Sequence, residues 1–429
     1  MSNHVGQQAP PERPQRKGLP VSDWSASWRR FRRRHPRARW IAPALALFLA
    51  FSYPWWGLEG PLAGIFKDGL GIDSDTLFNI SIYVMLALGL NVVVGYAGLL
   101  DLGYVAFFAI GAYTLGWFGS GLFTQRDIHF LDTNASRLPG IHLSFWVVIV
   151  LAGVICAIAG VIIGWPTLRL RGDYLAIVTL GFGEIIPDVF RNGDDIHGFN
   201  LTNGVRGVTL MDRPGFGVGI HNATGGILPD RYNSLELRPW YFTVLVMVAI
   251  IIFVNLRLRD SKMGRAWIAV REDEVAASAM GVPLMRTKLW AYAIGAIFGG
   301  FAGAIYGSFI NGIFPTSFSF QISVIVLVMV IVGGMGNIWG VIAGATLISW
   351  LNFTGLDKIG DWINGGIPGS GNDIVIAKYK FGIFGALLVL MMLFRPEGLI
   401  PSARRKAEFE EGEAPSEYLY DVEMDEVRA

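Results

Sequence analysis

Cysteine is almost absent. The 429-residue chain has one, Cys156, which excludes a disulfide framework and any multi-cysteine metal centre. The six histidines are scattered without zinc-type spacing, so no metal site is expected. Charge is also short. Asp, Glu, Lys and Arg make up 16% of the residues, against about 25% in an ordinary soluble domain. That deficit excludes a disordered chain and a basic nucleic-acid binder, and no nucleic-acid partner is expected. The GxxxxGK[ST] phosphate cradle is missing, and Gly334-Met335-Gly336 and Gly369-Ser370-Gly371 lack the residues that would extend them into one. HExxH and GxSxG are missing too, and no Ser/His/Asp set can be assembled. The chain is therefore expected to bind no cofactor, to hydrolyse no ATP itself and not to be an enzyme. What is plentiful is apolar: 52% hydrophobic residues and 54 glycines. The composition describes a multi-pass protein whose first partner is the lipid bilayer.

A bilayer core needs roughly 20 apolar residues per spanning helix. Such runs lie near 40–57, 76–95, 102–122, 143–165, 174–190, 240–256 and 289–310, with shorter ones at 321–333, 339–351 and 380–394. The expected fold is all-α, a bundle of about ten transmembrane helices, because helices satisfy their own backbone in lipid. The two runs flanking 333–340 are about thirteen residues each and suit broken or re-entrant helices. With ten spans, segments 1–39, 166–173, 257–288 and 395–429 share one side and hold 24 of the 35 Lys and Arg residues. The positive-inside rule then places both termini in the cytoplasm. The chain divides into a basic arm (1–39, carrying Arg29, Arg30, Arg32, Arg33, Arg34, Arg37 and Arg39), a membrane domain (40–400) and an acidic tail (401–429). The arm is expected to be disordered and to lie against anionic lipid, and both arm and tail to be cytoplasmic. The N-terminus lacks the pattern of a cleaved signal, since the apolar run begins at Trp40 and no small-residue site precedes Trp55 and Trp56.

Within the spans a few residues stand out. Gly295, Gly299, Gly303 and Gly307 recur every fourth residue, a stripe on which a neighbouring helix can pack closely. The stretch 89–121 is broken by glycines between two spans, with Asn91, Tyr96 and Asp101 at the break. Unwound backbone at membrane depth lines a cavity or is buried in protein. The break therefore reads either as part of a substrate path or as a glycine-rich turn with a capping Asp. Glu184 is the one acid well inside an apolar run, and it reads equally as a path residue or as a hydrated residue near a helix end. Asn337, beside the Gly334–Gly336 turn, joins Asn91, Tyr96 and Glu184 as candidate path residues.

The 257–288 loop is the most informative segment. Arg271, Glu272, Asp273 and Glu274 are followed by small residues, including Ala276 and Ala277, up to Gly281 and Pro283. This reads as a short helix with acids at its start and a glycine stop, either a plain surface helix or one flat enough to seat in a groove of another protein. EDEVAASAMG resembles the EAA-type coupling motif of ATP-binding-cassette (ABC) importer permeases. The wider run REDEVAASAMGVPLMRTKLWAYAIGAIFGGFAGAIYG is similar to the branched-chain amino acid permease family, as are NVVVGYAGLLDLGYVAFFAIGAYT, RGDYLAIVTLGFGEI and IVLVMVIVGGMGNIWGVIAGA. Together they cover most of residues 76–350, and the chain looks like the longer, M-type member of the permease pair.

The resemblance implies a subunit of an ABC importer, type II-like, in the cell (inner) membrane, carrying leucine, isoleucine, valine or related amino acids inward. It implies as partners a second homologous permease, two cytoplasmic ATPases that hold ATP and Mg, and an extracytoplasmic solute-binding protein. Arg271, Glu272, Asp273, Glu274, Ala276, Ala277 and Gly281 would dock on an ATPase. The chain departs from the family's Thr-Gly-Gly pattern at Asn203 and Arg206, in the outer loop 191–239. A permease for urea or short amides is the alternative within the class, and a self-sufficient secondary transporter or channel the alternative outside it.

Overall fold

The computed structural model describes residues 51–54, 60, 63–124, 128–130, 139–170, 172–217, 221–222, 229–233, 236–366, 376–395 and 397–400. The basic arm, most of the 40–57 run and the acidic tail lie outside the described residues. Residues 54–429 form one compact unit, distinct from 1–53.

The unit is mostly helical. Its helices are α1 (Ser74–Leu90), α2 (Val105–Phe118), α3 (Phe145–Thr167), α4 (Asp173–Arg191), α5 (Leu237–Asp260), α6 (Lys262–Glu272), α7 (Glu274–Ala279), α8 (Leu284–Ile310), α9 (Phe320–Gly333), α10 (Ile338–Trp350), α11 (Leu356–Gly366) and α12 (Lys380–Phe394). Among the described residues, six helical stretches are long and apolar enough to cross a membrane: Ser74–Tyr96, Phe145–Thr167, Leu237–Asp260, Leu284–Ile310, Pro315–Gly333 and Ile338–Ile363. Two of these differ from the short, re-entrant pieces expected between 321 and 351. A 3-10 turn at Pro315–Ser317 extends the approach to α9, and a π turn at Leu351–Gly355 carries α10 on into α11. The charges Asp357, Lys358 and Asp361 hide that continuation from a search for apolar runs. α2 and α12 are apolar but shorter, at 14 and 15 residues.

Local chemistry sets the helix ends. The Asp73 carboxylate accepts from Thr76 N at 2.8 Å to start α1, and Asn337 accepts from Trp339 N at 3.2 Å to start α10. Past Leu90, α1 continues as a π turn to Tyr96 and then unwinds. The unwound link is buried: Asp101 is enclosed and accepts from Gly103 N at 2.8 Å, while Leu102 N donates to Thr179 Oγ1 of α4. α2 begins only at Val105, whose N–H is taken by Ser323 Oγ of α9.

α8 is the centre of the bundle, packed chiefly on α3 and α2. Gly295 lies against Val93 and Gly89 near the end of α1, Gly299 against Phe107 and Tyr104, and Gly303 against the α2 backbone at Phe108 and Ala112. Gly307 faces Ile313 and Leu115. The fourfold stripe thus serves contacts inside this chain. Gly300, on another face, meets Cys156 of α3 and Gly111 of α2.

Among the described residues, five strands of two or three residues depart from a purely helical fold. β1 (Gly119–Ser120) and β2 (Ile128–Phe130) flank β3 (Ile141–Leu143), antiparallel and parallel to it respectively, and β4 (Val208–Thr209) pairs antiparallel with β5 (Gly312–Ile313). β1 follows α2 and β5 follows α8, and the pairings tie the connecting loops at that end together. The start of α8, the end of α1 and the α5–α8 connection share the opposite end, rich in lysine and arginine, here called the basic end.

Candidate coupling site

At the basic end α5 finishes in Arg257, Arg259 and Asp260, and Ser261 turns the chain by accepting from Gly264 N at 3.1 Å, the cap of α6. Gly264 passes so close to the Leu258 and Arg259 carbonyls that a side chain there would collide with backbone. α6 is pinned to the bundle by Trp267, fully buried, whose indole N–H donates to Thr287 O at 2.8 Å. Its last turn sends Arg271 inward. The guanidinium donates to Gly95 O at 2.6 Å, and the aliphatic stem lies over Gly98, leaving no room for a side chain at a residue whose φ of +71° already favours glycine.

Asp273 is extended (φ −153°) and ends α6, and its carboxylate accepts from Val275 N and Ala276 N at 2.7 and 3.0 Å to start α7. α7 stops in a Schellman turn: Val282 N donates to Ala277 O and Gly281 N to Ser278 O. Gly281 has φ +84°, a left-handed conformation that glycine adopts without penalty. The short helix is therefore defined at both ends by its own residues.

Its two faces differ. Inward, Ala277 is buried and Glu274 forms an ion pair with Lys288, which is only 5% exposed in the first turns of α8. Outward, Val275 is 68% and Met280 85% exposed, with Ala276 and Ala279 between them and Glu272 and Asp273 at the rim. An apolar patch with an acidic rim, on a helix braced from behind, has the form of a docking knob.

The structure thus separates the seven residues expected to couple. Glu272, Ala276 and Gly281 face outward, Asp273 caps, and Arg271, Glu274 and Ala277 face the bundle. Of the candidate path residues, Asn91 and Asn337 gather beside this loop. Asn91 Oδ1 accepts from Gly336 N at 2.9 Å, and Asn337 Nδ2 donates to Ile400 O at 2.8 Å. Tyr96 is buried in the same π turn, and neither its hydroxyl nor Asn91 Nδ2 has a hydrogen-bond partner among the described residues. Glu184 stands apart, exposed on α4. Three residues escaped the sequence reading, Trp267, Met280 and Lys288, while Asp101, placed at the break as part of a path or as a cap, is buried and accepts from Gly103 N. Lys288 offered the best signal, as a lone cation just inside the apolar pattern of α8.

Comparison with known proteins agrees with this architecture. The family described as branched-chain amino acid transport system / permease component matches residues 74–392. The chain is 37% identical over 346 residues to the high-affinity branched-chain amino acid transport system permease protein LivM of Salmonella typhimurium, covering 78% of this chain and 72% of that protein. Identity to LivM of Escherichia coli is 36% with the same coverage. It is 23% over 329 residues to the Escherichia coli permease protein LivH, covering 75% and 91%. No solved structure matches. Similarity to two different permease proteins implies a transport system of several subunits. With a match that takes in every long span and the braced loop between α5 and α8, the chain belongs to the branched-chain amino acid transport system permease family.

Proposed function

We propose that this chain is the membrane subunit of an ABC importer that moves branched-chain amino acids into the cytoplasm, driven by ATP hydrolysis on separate ATPase subunits that hold the ATP and Mg. The observation that carries the reading is the capped α7 helix, apolar outward at Val275 and Met280 and fixed inward by Glu274 and Arg271. The basic end is the cytoplasmic end by the positive-inside rule, and the bundle makes ten crossings with both termini there.

In this mechanism a second, homologous permease completes the pathway, and a solute-binding protein delivers the amino acid to the outer loops. Closure of the ATPases pushes on Val275 and Met280. The push reaches α8 through Lys288 and the end of α1 through Gly95, and from Asn91 it passes to Gly336 and the α9–α10 turn. Those elements close or open the inner end of the path while the outer end does the reverse, by rocking of packed helices. α4 lines the path, with Glu184 on its open face.

The test is co-expression with the ATPases in membranes. Met280→Arg and Val275→Arg are expected to abolish ATPase co-purification and leucine uptake while the permease still inserts and keeps its melting temperature. Unchanged co-purification would remove α7 from the coupling role, and leucine uptake by the permease without ATPases would make it a secondary transporter.

A further inference from the structure

At the far end of the bundle, opposite the coupling loop, a cavity of about 480 Å³ opens beneath the outer loops. Its size is within the roughly 300–1,000 Å³ of small-molecule sites. Its walls are fixed by backbone and buried side chains. Met211 N donates to Asn311 Oδ1, Asp212 N to Gly119 O, and Ser308 Oγ to Asp212 O. The segments on either side are laced together by Tyr232 N to Pro214 O and Phe216 N to Pro229 O, which brings Arg213 and Arg231 into one wall.

Three features of that wall call for an occupant. First, neither the Arg213 nor the Arg231 guanidinium has a hydrogen bond or ion pair among the described residues. Partial burial, and then the charge of Arg231, lower the pKa of Arg213, as expected of a half-buried cation beside an exposed one. Second, the carboxylate of the wall, on Asp212, is nearly enclosed and oriented by His142, whose Nδ1 lies 2.9 Å from Oδ2. The other ring nitrogen of His142, Nε2, is enclosed without a partner among the described residues. Third, Leu210 holds a left-handed backbone (φ +60°) yet presents a side chain 63% exposed at the cavity. A bulky residue in that conformation is strained, and strain of this kind is kept where a position is in use.

A paired guanidinium recognises a planar carboxylate in two-point fashion. The Asp212 carboxylate in the same wall, already held by His142, adds the negative charge that suits an ammonium, and an exposed aliphatic rim suits an uncharged side chain. The geometry points to a vestibule for an α-amino acid zwitterion, with the carboxylate on Arg213 and Arg231, the ammonium toward Asp212 and the aliphatic chain against Leu210. It deepens the importer reading and rests on it: solute released by the binding protein lands here before the path opens. Two arginines against one acid also disfavour solutes with a cationic side chain.

Arginine-specific modification tests the site directly. Membranes carrying the full chain are treated with phenylglyoxal, and modification at Arg213 and Arg231 is followed by mass spectrometry. Leucine is expected to slow both severalfold, isocaproate (the same molecule without the ammonium) less, and leucinol (without the carboxylate) not at all. In the Asp212→Asn variant, protection by leucine should fall to the level of isocaproate. Absence of protection by leucine, equal protection by leucinol, or equal protection by inorganic phosphate would each overturn the assignment. In the assembled importer, Arg213→Gln with Arg231→Gln should raise the KM for leucine by about tenfold, the loss of a charge-assisted contact, with ATPase co-purification unchanged. An unchanged KM would sink the vestibule and leave the importer standing. Protection of the arginines in a chain that, fully assembled, takes up no amino acid would sink the importer and leave the vestibule.

Discussion

Lys288 and Glu274 meet across the joint between α7 and α8, the ammonium almost fully enclosed and the carboxylate about one-third exposed, at 32%. Removing the acid strands a desolvated cation. A surface pair is worth up to about 1 kcal/mol and breaking a buried one costs about 3 kcal/mol or more, so Glu274→Ala should destabilise the joint by roughly 1–3 kcal/mol. It should also lower the melting temperature of the purified permease. The double variant Glu274→Leu with Lys288→Met replaces both charges by apolar groups and should recover most of that stability without restoring ATPase-driven uptake. A double variant as unstable as the single one would show that Glu274 acts through contacts other than Lys288. The acid was legible in the sequence because it opens a run of acids and small residues. Its partner was not, since fourteen residues and a helix boundary separate the two and no periodic rule links them. Met280 was hidden for a different reason: sequence order does not say which side of a six-residue helix faces water.

Among the elements, α8 carries the packing and α7 is the proposed coupling helix, and glycine serves each differently. In α8 the glycines are needed for space. Gly303 abuts the backbone of Phe108 and Ala112 directly, so Gly303→Val must push α2 away from α8 and should prevent stable insertion or reduce expression sharply, as read by membrane yield and detergent melting. In α7 the glycine is needed for conformation. Gly281 has open space around its Cα but φ +84°, so Gly281→Ala should cost about 1–2 kcal/mol locally and weaken ATPase retention without changing insertion. Normal retention with Gly281→Ala would mean the end of α7 is free to re-form. The fourfold glycine spacing was visible in the sequence. That the stripe meets α1 and α2 of the same chain was not, because periodicity reports a face and never the neighbour that covers it. The same limit explains α9 and α10. Hydropathy saw two short runs, whereas the structure lengthens one with a proline-led 3-10 turn and the other through a π turn into a charged helix.

At the scale of the whole molecule, the two ends are built for different tasks and the bundle between them must transmit. The basic end has the knob, the Arg271–Gly95 tie and the Asn91–Gly336 bond, and the far end has a cavity walled chiefly by loops. What lies between is exposed along α4, where Tyr174 and Ile177 are 73% and 65% exposed and Glu184 stands on the same open side, one turn past Gly181. A carboxylate pointing into hydrocarbon costs about 2.5–3.5 kcal/mol, which weighs against a plain lipid contact for this face. Under the proposed pairing with a second permease, with a transient water path alongside, the acid would be solvated and the apolar residues around it would form an interface. Glu184→Gln should then leave pairing and ATPase binding intact while lowering leucine uptake, because the neutral amide packs as well but carries no charge toward the passing ammonium. Ile177→Arg should instead disrupt pairing itself, read as loss of the partner permease on purification. Uptake and selectivity unchanged in Glu184→Gln would move the path off α4. Partner retention in Ile177→Arg would leave this face open to lipid or water, and the second subunit would have to seat elsewhere on the bundle.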